Sequence, residues 1–325
     1  MRAFVTGGTG FIGGYVARKL RDRGDDVVAL VRSPKKAAEL EALGCEPVAG
    51  DLSSRQELQR SMAGCDAVFH IAAVYKVGIP TRECDEMRDA NIGGTERTLD
   101  AAVGAGVKKI VYVSTVGYFG NTRGRVVDET YVREDDGNYL SCYDETKLKA
   151  HAVAKDRIAK GAPIVIAQPG GVYGPGDQSE IGNFVRNMST GKLRFKSFPD
   201  VGFNMGYVDD IADGIILAHD KGQVGESYVF GGEISTLGEL VDKVAELSGR
   251  KPIKLTMPAW AVKASIPVAP LVTKMMGLPP NLRELIKTSD GVTYWATDAK
   301  ARRDLGYSPR NLEEGLREML AAEAA

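Results

Sequence analysis

The chain has 325 residues, of which 42 are Lys or Arg and 43 are Asp or Glu, so its formal net charge at pH 7 is −1. This balance gives no overall field that would favour nucleic acid or anionic lipid as a partner, so any basic site has to be local. The length allows a sizeable core, in one large domain or two closely joined ones.

Cysteine and histidine usage predicts neither a disulfide framework nor a metal site. The four cysteines form no C-x-x-C pair, and the three histidines complete no cluster of metal ligands. Reduced thiols, and a first segment without the apolar core of a secretory signal, indicate a cytoplasmic protein. No stretch has the uninterrupted apolar length of a stable membrane span. Residues 257–280 come nearest, and we interpret them as core packing, a wall for an apolar substrate or a membrane-touching lid.

Short apolar runs alternate with helical patterns in the first part of the chain. Helical spacers include 13–24 and 53–64, and Gly24 is suited to end the first of them. Right-handed crossovers between buried parallel strands produce a doubly wound sheet. The apolar runs that we predict as such strands are 3–6, 27–31, 46–50, 67–73, 109–115 and 163–169.

The alternation weakens after residue 170. Residues 176–206 show no regular pattern, whereas 209–222 has the pattern of a helix and 227–232 that of a strand. The tail from residue 235 is mostly helical, with a proline-rich interruption at 258–280. These patterns indicate a second, smaller unit that is partly interleaved with the first.

The segment "FVTGGTGFIGG" follows the first strand and opens the first helix, with glycines at G-x-x-G-x-x-G spacing. Gly7 allows the tight turn, Gly10 lets the backbone approach a pyrophosphate, and Gly13 permits close packing of helix on strand. The free N–H groups of the helix suit phosphates, so we predict a dinucleotide site, with a purely structural turn as the alternative. The residues predicted to bind the cofactor here are Gly7, Thr9, Gly10, Phe11, Ile12 and Gly13.

Four segments make up the predicted domain organisation. Residues 1–172 form a dinucleotide-binding domain with the Rossmann fold, to which 206–232 return. Residues 173–205 and 233–325 form a smaller, mostly helical lobe that binds the substrate. The predicted fold class is therefore α/β, a doubly wound parallel sheet with a C-terminal lobe.

The segment "LVRSPKK" follows the second strand, where an acid would bind the hydroxyls of an adenosine ribose. Arg32 stands there instead, and its guanidinium is able to hold a 2′-phosphate bidentately. Lys35 or Lys36 adds a second charge. NADP(H) is therefore the predicted cofactor, with NAD(H) as the alternative if these are solvated surface charges. Asp51, after the third strand, suits the adenine and Leu52 covers its ring, unless Asp51 is a simple turn residue.

Tyr143 and Lys147 lie four residues apart on a predicted helix, 142–161, and so share one face. A tyrosine is a poor acid–base group at neutral pH, and a neighbouring ammonium lowers its pKa by stabilising the phenolate. Ser114 and Thr115 end the preceding apolar strand, where ligands bind in open α/β sheets. A hydroxyl there is able to orient a carbonyl or an alcohol toward Tyr143. The combination predicts a catalytic site, whereas the helix pair alone is a common coincidence.

A set of short motifs spans nearly the whole chain. They are "TGGTGFIG" (6–13), "GDL" (50–52), "HIAA" (70–73), "NIGGT" (91–95), "VSTVGYFG" (113–120), "YDETK" (143–147), "PGGVYGPGD" (169–177), "GYVDDIADG" (206–214) and "DAKARRDLGYSP" (298–309). With these motifs the chain resembles the extended short-chain dehydrogenases/reductases, also called the NAD-dependent epimerase/dehydratase family. It resembles their dihydroflavonol-4-reductase-like branch in particular.

The resemblance implies roles for single residues. Tyr143 is the catalytic acid/base, Lys147 binds the nicotinamide ribose and tunes Tyr143, and Thr115 is the catalytic hydroxyl. Asn91 holds a structural water or caps its helix, whereas His70, inside the fourth strand, is predicted to be a core residue. Further residues implied to line the cofactor are Ser114, Ala72, Ala73, Pro169, Gly170 and Val172. Aromatic residues that either wall a substrate pocket or simply pack are Tyr75, Tyr118, Phe119 and Phe203.

Two positions distinguish the branches of this family. Members that act on nucleotide-sugars usually bind the substrate phosphates with an asparagine and an arginine, where this chain has Gly171 and Phe203. A diphosphate needs charge-assisted donors, so their loss argues against such a substrate. Basic residues that are able to replace them are Arg186, Lys192 and Arg194.

We therefore predict an NADPH-dependent reductase of a ketone or aldehyde on a largely apolar small molecule. The first alternative is a nucleotide-sugar epimerase or dehydratase with tightly bound NAD, and the second is a dinucleotide-sensing regulator without turnover. By the resemblance, a homodimer would pair the helices around 84–104 and 142–160. Neither nucleic acid nor a metal ion is among the predicted partners.

Overall fold

A computed structural model describes residues 1–257, 260, 263 and 281–324, so the stretch interpreted at 257–280 lies almost wholly outside the described residues. Within the described part of the chain, no helix combines the length and the apolar character needed to cross a membrane. The described strands, in chain order, are β1 (Arg2–Thr6), β2 (Asp26–Val31), β3 (Glu46–Ala49), β4 (Ala67–His70), β5 (Lys109–Val113), β6 (Ile164–Pro169), β7 (Gly171–Tyr173), β8 (Lys196–Ser197), β9 (Gly202–Tyr207), β10 (Ser227–Phe230), β11 (Glu233–Thr236), β12 (Thr256–Met257) and β13 (Thr293–Tyr294).

Seven strands form one parallel sheet in the order β10-β6-β5-β4-β1-β2-β3. Its strands are apolar on both faces because helices cover both. In β1, for example, Ala3 and Val5 pack into one apolar cluster and Phe4 into the cluster on the opposite face. The predicted doubly wound α/β fold is confirmed.

The described helices, in chain order, are α1 (Phe11–Asp22), α2 (Pro34–Ala42), α3 (Arg55–Ser61), α4 (Cys84–Arg88), α5 (Gly94–Gly104), α6 (Cys142–Ala159), α7 (Glu180–Ser189), α8 (Val208–Asp220), α9 (Leu237–Leu247), α10 (Leu282–Ser289), α11 (Ala299–Leu305) and α12 (Leu312–Ala324). A π-helical turn, Asp89–Gly93, joins α4 to α5. Residues of α1, α8 and α11 pack on one face of the main sheet, and residues of α3, α5 and α6 pack on the other. All four cysteines are buried and free.

The C-terminal lobe contains a second sheet, although it was predicted to be mostly helical. Its central strand, β9, pairs with β7, β11 and β13. Helices α7, α9 and α12 pack around this sheet in a separate apolar cluster. The segment 176–206, predicted to be irregular, supplies α7, β8 and most of β9. Val185 and Met188 give α7 a buried face. Their helical spacing is hard to recognise in the sequence because glycine and asparagine interrupt the apolar pattern.

The turn between β1 and α1 depends on close contact between backbones. Gly7 has a φ of +76°, a backbone conformation that residues other than glycine rarely adopt. A Cβ on Gly13 would lie 2.0 Å from the carbonyl oxygen of Gly7, so α1 can approach the turn only because residue 13 has no side chain. A Cβ on Gly14, by contrast, would have its nearest neighbour at 3.6 Å, the Gly8 carbonyl oxygen.

Replacing Gly13 with Ala is expected to lower the free energy of unfolding by roughly 1–3 kcal/mol, since backbone atoms cannot move aside cheaply. Gly14→Ala is the matched control. The space there is open and alanine is the better helix former, so this variant should be unchanged or more stable by about 0.5–1 kcal/mol. Urea unfolding of both variants measures the difference, and equal stabilities would contradict the packing described for Gly13.

Candidate active site

The candidate site lies at the carboxyl ends of the strands in the main sheet. The strand order reverses between β1 and β4, and open α/β sheets bind ligands in the crevice at such a point. Gly7 follows β1 and Ala72 follows β4, and the two backbones meet there, since a Cβ on Gly7 would lie 2.8 Å from the Ala72 nitrogen. The Thr6 hydroxyl also accepts a hydrogen bond from the Ala72 N–H at 3.2 Å.

The first turn of α1 has the character of an anion site. Its N-cap, Gly10, offers no side-chain cap, and the turn contains no acidic residue. Helices α2, α3 and α6 differ, because Ser33, Ser54 and Ser141 accept hydrogen bonds from their first turns. The N–H groups at the start of α1 are therefore free for a ligand, and the helix dipole favours a negative one. This glycine-lined cradle fits the pyrophosphate of a dinucleotide.

The residues predicted at the adenosine end lie on the surface after β2 and β3. Arg32 is exposed and makes no ion pair among the described residues. Lys36 is paired with Glu39 at 2.8 Å, so its charge is partly neutralised. Asp51 accepts a hydrogen bond from the Ser53 N–H at 2.8 Å, which is the turn contact that was its alternative role. The bonds from Ser53 lower the pKa of Asp51, and the nearby charge of Arg32 lowers it further.

Tyr143 lies in the first turn of α6 and is partly buried. Its ring meets that of Tyr75 edge-on, with centroids 4.7 Å apart, and Tyr75 is 58% exposed. Burial raises the pKa of Tyr143 above its ordinary value, and hydrogen bonding with Thr115 acts in the opposite direction. Tyr143 is therefore a protonated phenol at neutral pH, a group able to donate a proton.

Lys147 is deeply buried one turn after Tyr143. Its ammonium donates one hydrogen bond, to the Val113 carbonyl oxygen at 3.2 Å, and lies 5.6 Å from the ring centre of Tyr112. Burial lowers the pKa of Lys147 to about 8. The leading influences on the Tyr143 pKa are burial, Tyr75, Tyr112 and Thr115, so tuning by Lys147 stays a prediction.

His151 adds a third polar residue to the same face of α6, and it was not predicted from sequence. Its Nδ1 lies 3.0 Å from the Ser114 hydroxyl, and its ring stacks on Tyr118 with centroids 3.9 Å apart. Burial lowers the pKa of His151 to about 3, so the ring is neutral. Ser114 and Tyr118 thus contact the helix. Residues 143, 147 and 151 are each four apart, and this spacing, which puts them on one face of the helix, could have predicted His151.

Asn91, in the π-helical turn, binds a loop and the catalytic helix together. Its side chain accepts from the Val74 N–H at 2.7 Å and donates to the Val74 carbonyl oxygen at 2.9 Å. It also donates to the Thr146 hydroxyl at 3.0 Å. The loop that presents Tyr75 is therefore fixed next to Tyr143. Asn91 lies inside the turn and is not a helix cap, whereas the water site stays a prediction.

Two carboxylates fix the start of α6. Asp144 is buried and forms a bidentate ion pair with Arg133, at 2.5 and 2.8 Å, and it also accepts from the Leu140 N–H at 2.7 Å. Glu284 of α10 accepts from the Cys142 N–H at 3.2 Å. These contacts hold the loop before α6 and one helix of the lobe against the turn that carries Tyr143.

Two aromatic side chains of the lobe form a pair that we call the aromatic wall. Phe203 stacks on Tyr294 with centroids 5.5 Å apart. A Cβ on Gly171 would lie 3.0 Å from the Phe203 Cβ, so the two positions that distinguish the branches touch each other. Arg186 is engaged by Asp177, Asn183 and Glu323 through bonds of 2.6, 2.8 and 3.2 Å, and is not free to replace a lost phosphate donor.

The remaining predicted residues occupy different environments. Phe119 is 1% exposed and packs beside Val116 and Val127, so it belongs to the core beneath the cleft and does not line its surface. His70 is 1% exposed, bonds Thr6 and Thr95, and is confirmed as a core residue. Ala72 and Ala73 follow β4. Pro169 ends β6, Gly170 lies between β6 and β7, and Val172 lies within β7.

Comparison with known proteins places this geometry in a family. The model of the NAD-dependent epimerase/dehydratase family matches residues 3–231. A 2-alkyl-3-oxoalkanoate reductase of Stenotrophomonas maltophilia is 30% identical, over 100% of this chain and 100% of its own. A 4-hydroxy-2-methyl-3-oxo-4-farnesyl-3,4-dihydroquinoline-1-oxide ketoreductase of Stigmatella aurantiaca is 30% identical, over 95% of this chain and 92% of its own. The solved structure of a dTDP-glucose 4,6-dehydratase double mutant from Streptomyces venezuelae, with NAD bound, superposes with a TM-score of 0.79. It is 25% identical, and the match covers 100% of this chain and 97% of the dehydratase.

The doubly wound sheet and its glycine turn, together with relatives that are named reductases, define an oxidoreductase of the short-chain dehydrogenase/reductase type. The chain belongs to the NAD-dependent epimerase/dehydratase family, and the resemblance found from its motifs is confirmed. The alternative of a sensor without turnover is therefore not retained.

Replacing Lys147 with Met is expected to stabilise the protein at pH 7 while removing its activity. The wild type holds an ammonium in a buried site, and a folded-state pKa of about 8 against 10.5 corresponds to a cost of about 3 kcal/mol below pH 8. Between pH 8 and 10.5 Lys147 is neutral in the folded protein but still charged in the unfolded chain. The free energy of unfolding of the wild type therefore rises relative to that of the variant over this range.

Lys149→Met is the matched control on the same helix. Lys149 is more exposed and pairs with Glu145 at 2.7 Å, so its loss should change stability by less than about 1 kcal/mol, without the same dependence on pH. Urea unfolding of the protein without ligand at several pH values measures both variants. A Lys147→Met protein that is no more stable than the wild type at pH 7 would show that the buried ammonium is not strained.

Proposed function

We propose that the chain is an NADPH-dependent reductase of a ketone or aldehyde on a largely apolar small molecule. Residues 1–172 and 206–232 hold the dinucleotide, and 173–205 with 233–325 hold the substrate. The aromatic wall of Phe203 and Tyr294, at the place where related enzymes carry phosphate-binding residues, is the observation on which the substrate class rests. A homodimer is part of the same proposal.

The glycine cradle and the surface after β2 are suited to hold the dinucleotide. The N–H groups of Phe11, Ile12 and Gly13 face the pyrophosphate, Arg32 binds the 2′-phosphate, and Lys147 binds the nicotinamide ribose. When bound, NADPH supplies a hydride from nicotinamide C4. Its binding would also give the Lys147 ammonium the hydroxyl partners that its buried site lacks.

Tyr143 and Thr115 act on the substrate carbonyl. The Thr115 hydroxyl donates to the carbonyl oxygen and holds it against the Tyr143 phenol. Tyr143 then gives its proton to that oxygen as negative charge develops there. Burial keeps Tyr143 protonated, which suits reduction, because this direction needs an acid. The Lys147 ammonium, one helical turn away, stabilises the phenolate that is left.

The names of two relatives support an apolar substrate. One is named a reductase of 2-alkyl-3-oxoalkanoates, and the other a ketoreductase of a farnesylated quinoline oxide. Both names describe a ketone on a molecule that carries an apolar group, an alkyl group in the first and a farnesyl group in the second. A chain with Gly171 and Phe203 in contact offers apolar surface to such a molecule, at the two positions where donors to a diphosphate would otherwise stand.

A nucleotide-sugar dehydratase or epimerase with tightly bound NAD is the second candidate. The observation in its favour is the likeness to the dTDP-glucose 4,6-dehydratase with NAD bound, which extends over the whole chain. This candidate requires that denatured protein releases NAD and that a nucleotide-sugar raises the melting temperature. The absence of both effects would exclude it.

Replacing Tyr143 with Phe is expected to lower kcat/KM for an accepted ketone by about 10²–10⁴-fold, since the proton donor is removed. The assay follows NADPH oxidation with a panel of 2-alkyl-3-oxoalkanoates and of aryl and alicyclic ketones. Tyr75→Phe is the control, because it keeps the ring that contacts Tyr143 and should change kcat little. Undiminished turnover by Tyr143→Phe would overturn the assignment.

Arg32 is expected to make kcat/KM at least tenfold higher with NADPH than with NADH, because a charge-assisted contact contributes roughly 1.5–3 kcal/mol. Arg32→Asp should erase or reverse this preference, since a carboxylate repels the 2′-phosphate and binds ribose hydroxyls. Lys36→Met should change it less, because Glu39 already neutralises Lys36. A wild-type enzyme that prefers NADH would refute the role of Arg32 and favour the second candidate.

A further inference from the structure

One segment of the chain departs sharply from the overall charge balance. Between Glu246 and Glu284 the sequence contains no acidic residue, although the whole chain has 43. The basic residues of this segment are Arg250, Lys251, Lys254, Lys263, Lys274 and Arg283. A local excess of positive charge of this size, in a protein with net charge −1, marks a surface that attracts anions.

Strand pairing brings part of this segment next to a second pair of cations. β12 pairs with β8, and the Lys196 N–H donates to the Leu255 carbonyl oxygen at 2.9 Å. Arg250 donates to the Ser189 carbonyl oxygen at 3.0 Å, which fixes it beside the end of α7. We call the five exposed cations that result the basic surface. They are Lys192, Arg194, Arg250, Lys251 and Lys254.

In the part of the chain that the structure describes, no carboxylate lies within ion-pair distance of the basic surface. None of its members forms an ion pair among the described residues, whereas at its rim Lys196 pairs with Asp242 at 2.6 Å and Lys243 with Glu246 at 3.1 Å. Residues 258–280 contain no Asp or Glu that could supply a partner. Five cations thus share one region with their charges uncompensated.

Exposed apolar side chains follow these cations along the chain. Leu255 comes directly after Lys254 and is 65% exposed, and Trp260, five residues further on, is 71% exposed, both high values for large apolar residues. Cations followed by an exposed leucine and an exposed tryptophan are typical of surfaces that bind the boundary between lipid headgroups and acyl chains. A single-stranded nucleic acid would stack a base on Trp260 but would leave Leu255 in water.

We propose that the basic surface, with Leu255 and Trp260, binds an anionic lipid bilayer and holds the protein peripherally on it. The cations attract lipid phosphates and carboxylates, and the two apolar side chains enter the boundary region. This contact does not depend on the proposed reductase activity. It would place the enzyme where apolar molecules are concentrated.

Flotation of the full chain with vesicles tests the proposal. The wild type should bind phosphatidylserine-containing vesicles and not pure phosphatidylcholine vesicles, and high salt should release it, because screening shortens the range of the attraction. Lys251→Glu with Lys254→Glu should weaken binding at least roughly tenfold, since each basic residue near such a surface contributes roughly fivefold. Leu255→Ser with Trp260→Ser should weaken it roughly tenfold at constant charge.

The matched control changes the same number of charges elsewhere. Lys108 and Arg303 have side chains that are 81% and 70% exposed, so Lys108→Glu with Arg303→Glu should leave vesicle binding nearly unchanged. Thermal unfolding confirms that each variant folds, and retained NADPH binding provides a second check. A control variant that loses binding as strongly as the surface variant would show that only net charge matters, and would overturn the proposal.

Tryptophan emission reports on the contact itself. The chain has two tryptophans, so Trp295→Phe leaves Trp260 as the sole indole. On anionic vesicles its emission should shift to shorter wavelength and be quenched by brominated lipid. Emission that does not change, a wild type that ignores anionic vesicles, or selective binding of a random-sequence RNA through the same lysines would each refute the proposal.

Discussion

The Lys147 ammonium is buried in the candidate site with one hydrogen bond, to the Val113 carbonyl oxygen, and no carboxylate partner among the described residues. A buried charge is tolerated only if its helix and its surroundings cannot relax away from it. Helix α6 meets this need. Ser141 caps its first turn, Asp144 and Arg133 fix the loop before it, and Glu284 holds it to the lobe. These contacts hold α6 in place around the buried charge.

Two further contacts hold α6, and with it Tyr143, in position. Asn91 joins the Tyr75 loop to α6, and His151 joins the end of β5 to α6 through Ser114. Tyr143 therefore lies between two loops that are each bonded to the helix that carries it. A phenol held in this way keeps its position while the cleft around it stays open, as catalysis by orientation requires.

Local patterns in the sequence were enough to predict the main sheet, its helices and the glycine turn. Apolar runs such as 109–115 and the spacing of Gly7, Gly10 and Gly13 depend on neighbours in the chain, and such signals are visible without a structure. The Arg133–Asp144 pair and the bonds of Asn91 to Val74 and Thr146 join residues from different elements. No local pattern marks them, because the fold alone decides which polar groups meet.

The lobe shows the same limit. β9 pairs with three strands that are far apart in sequence, one of them only two residues long, so no single segment has the pattern of a sheet. Phe119 and Tyr118 follow the same strand and were treated alike. Only packing separates them, since Phe119 fills the core and Tyr118 stacks on His151.

The contact between Gly171 and Phe203 also bears on how such an enzyme could have changed its substrate. An asparagine at 171 would meet the Phe203 Cβ, because even a bare Cβ there would lie 3.0 Å from it. The close approach is made by the Cβ of residue 203, which every residue except glycine has, so replacing Phe203 with arginine would not make room for an asparagine at 171. An arginine at 203 would lie against the Tyr294 ring, a favourable cation–π contact, and would supply only half of a phosphate site. The position that resists a return to the nucleotide-sugar pattern is therefore 171, where the backbones of β7 and β9 would have to move apart.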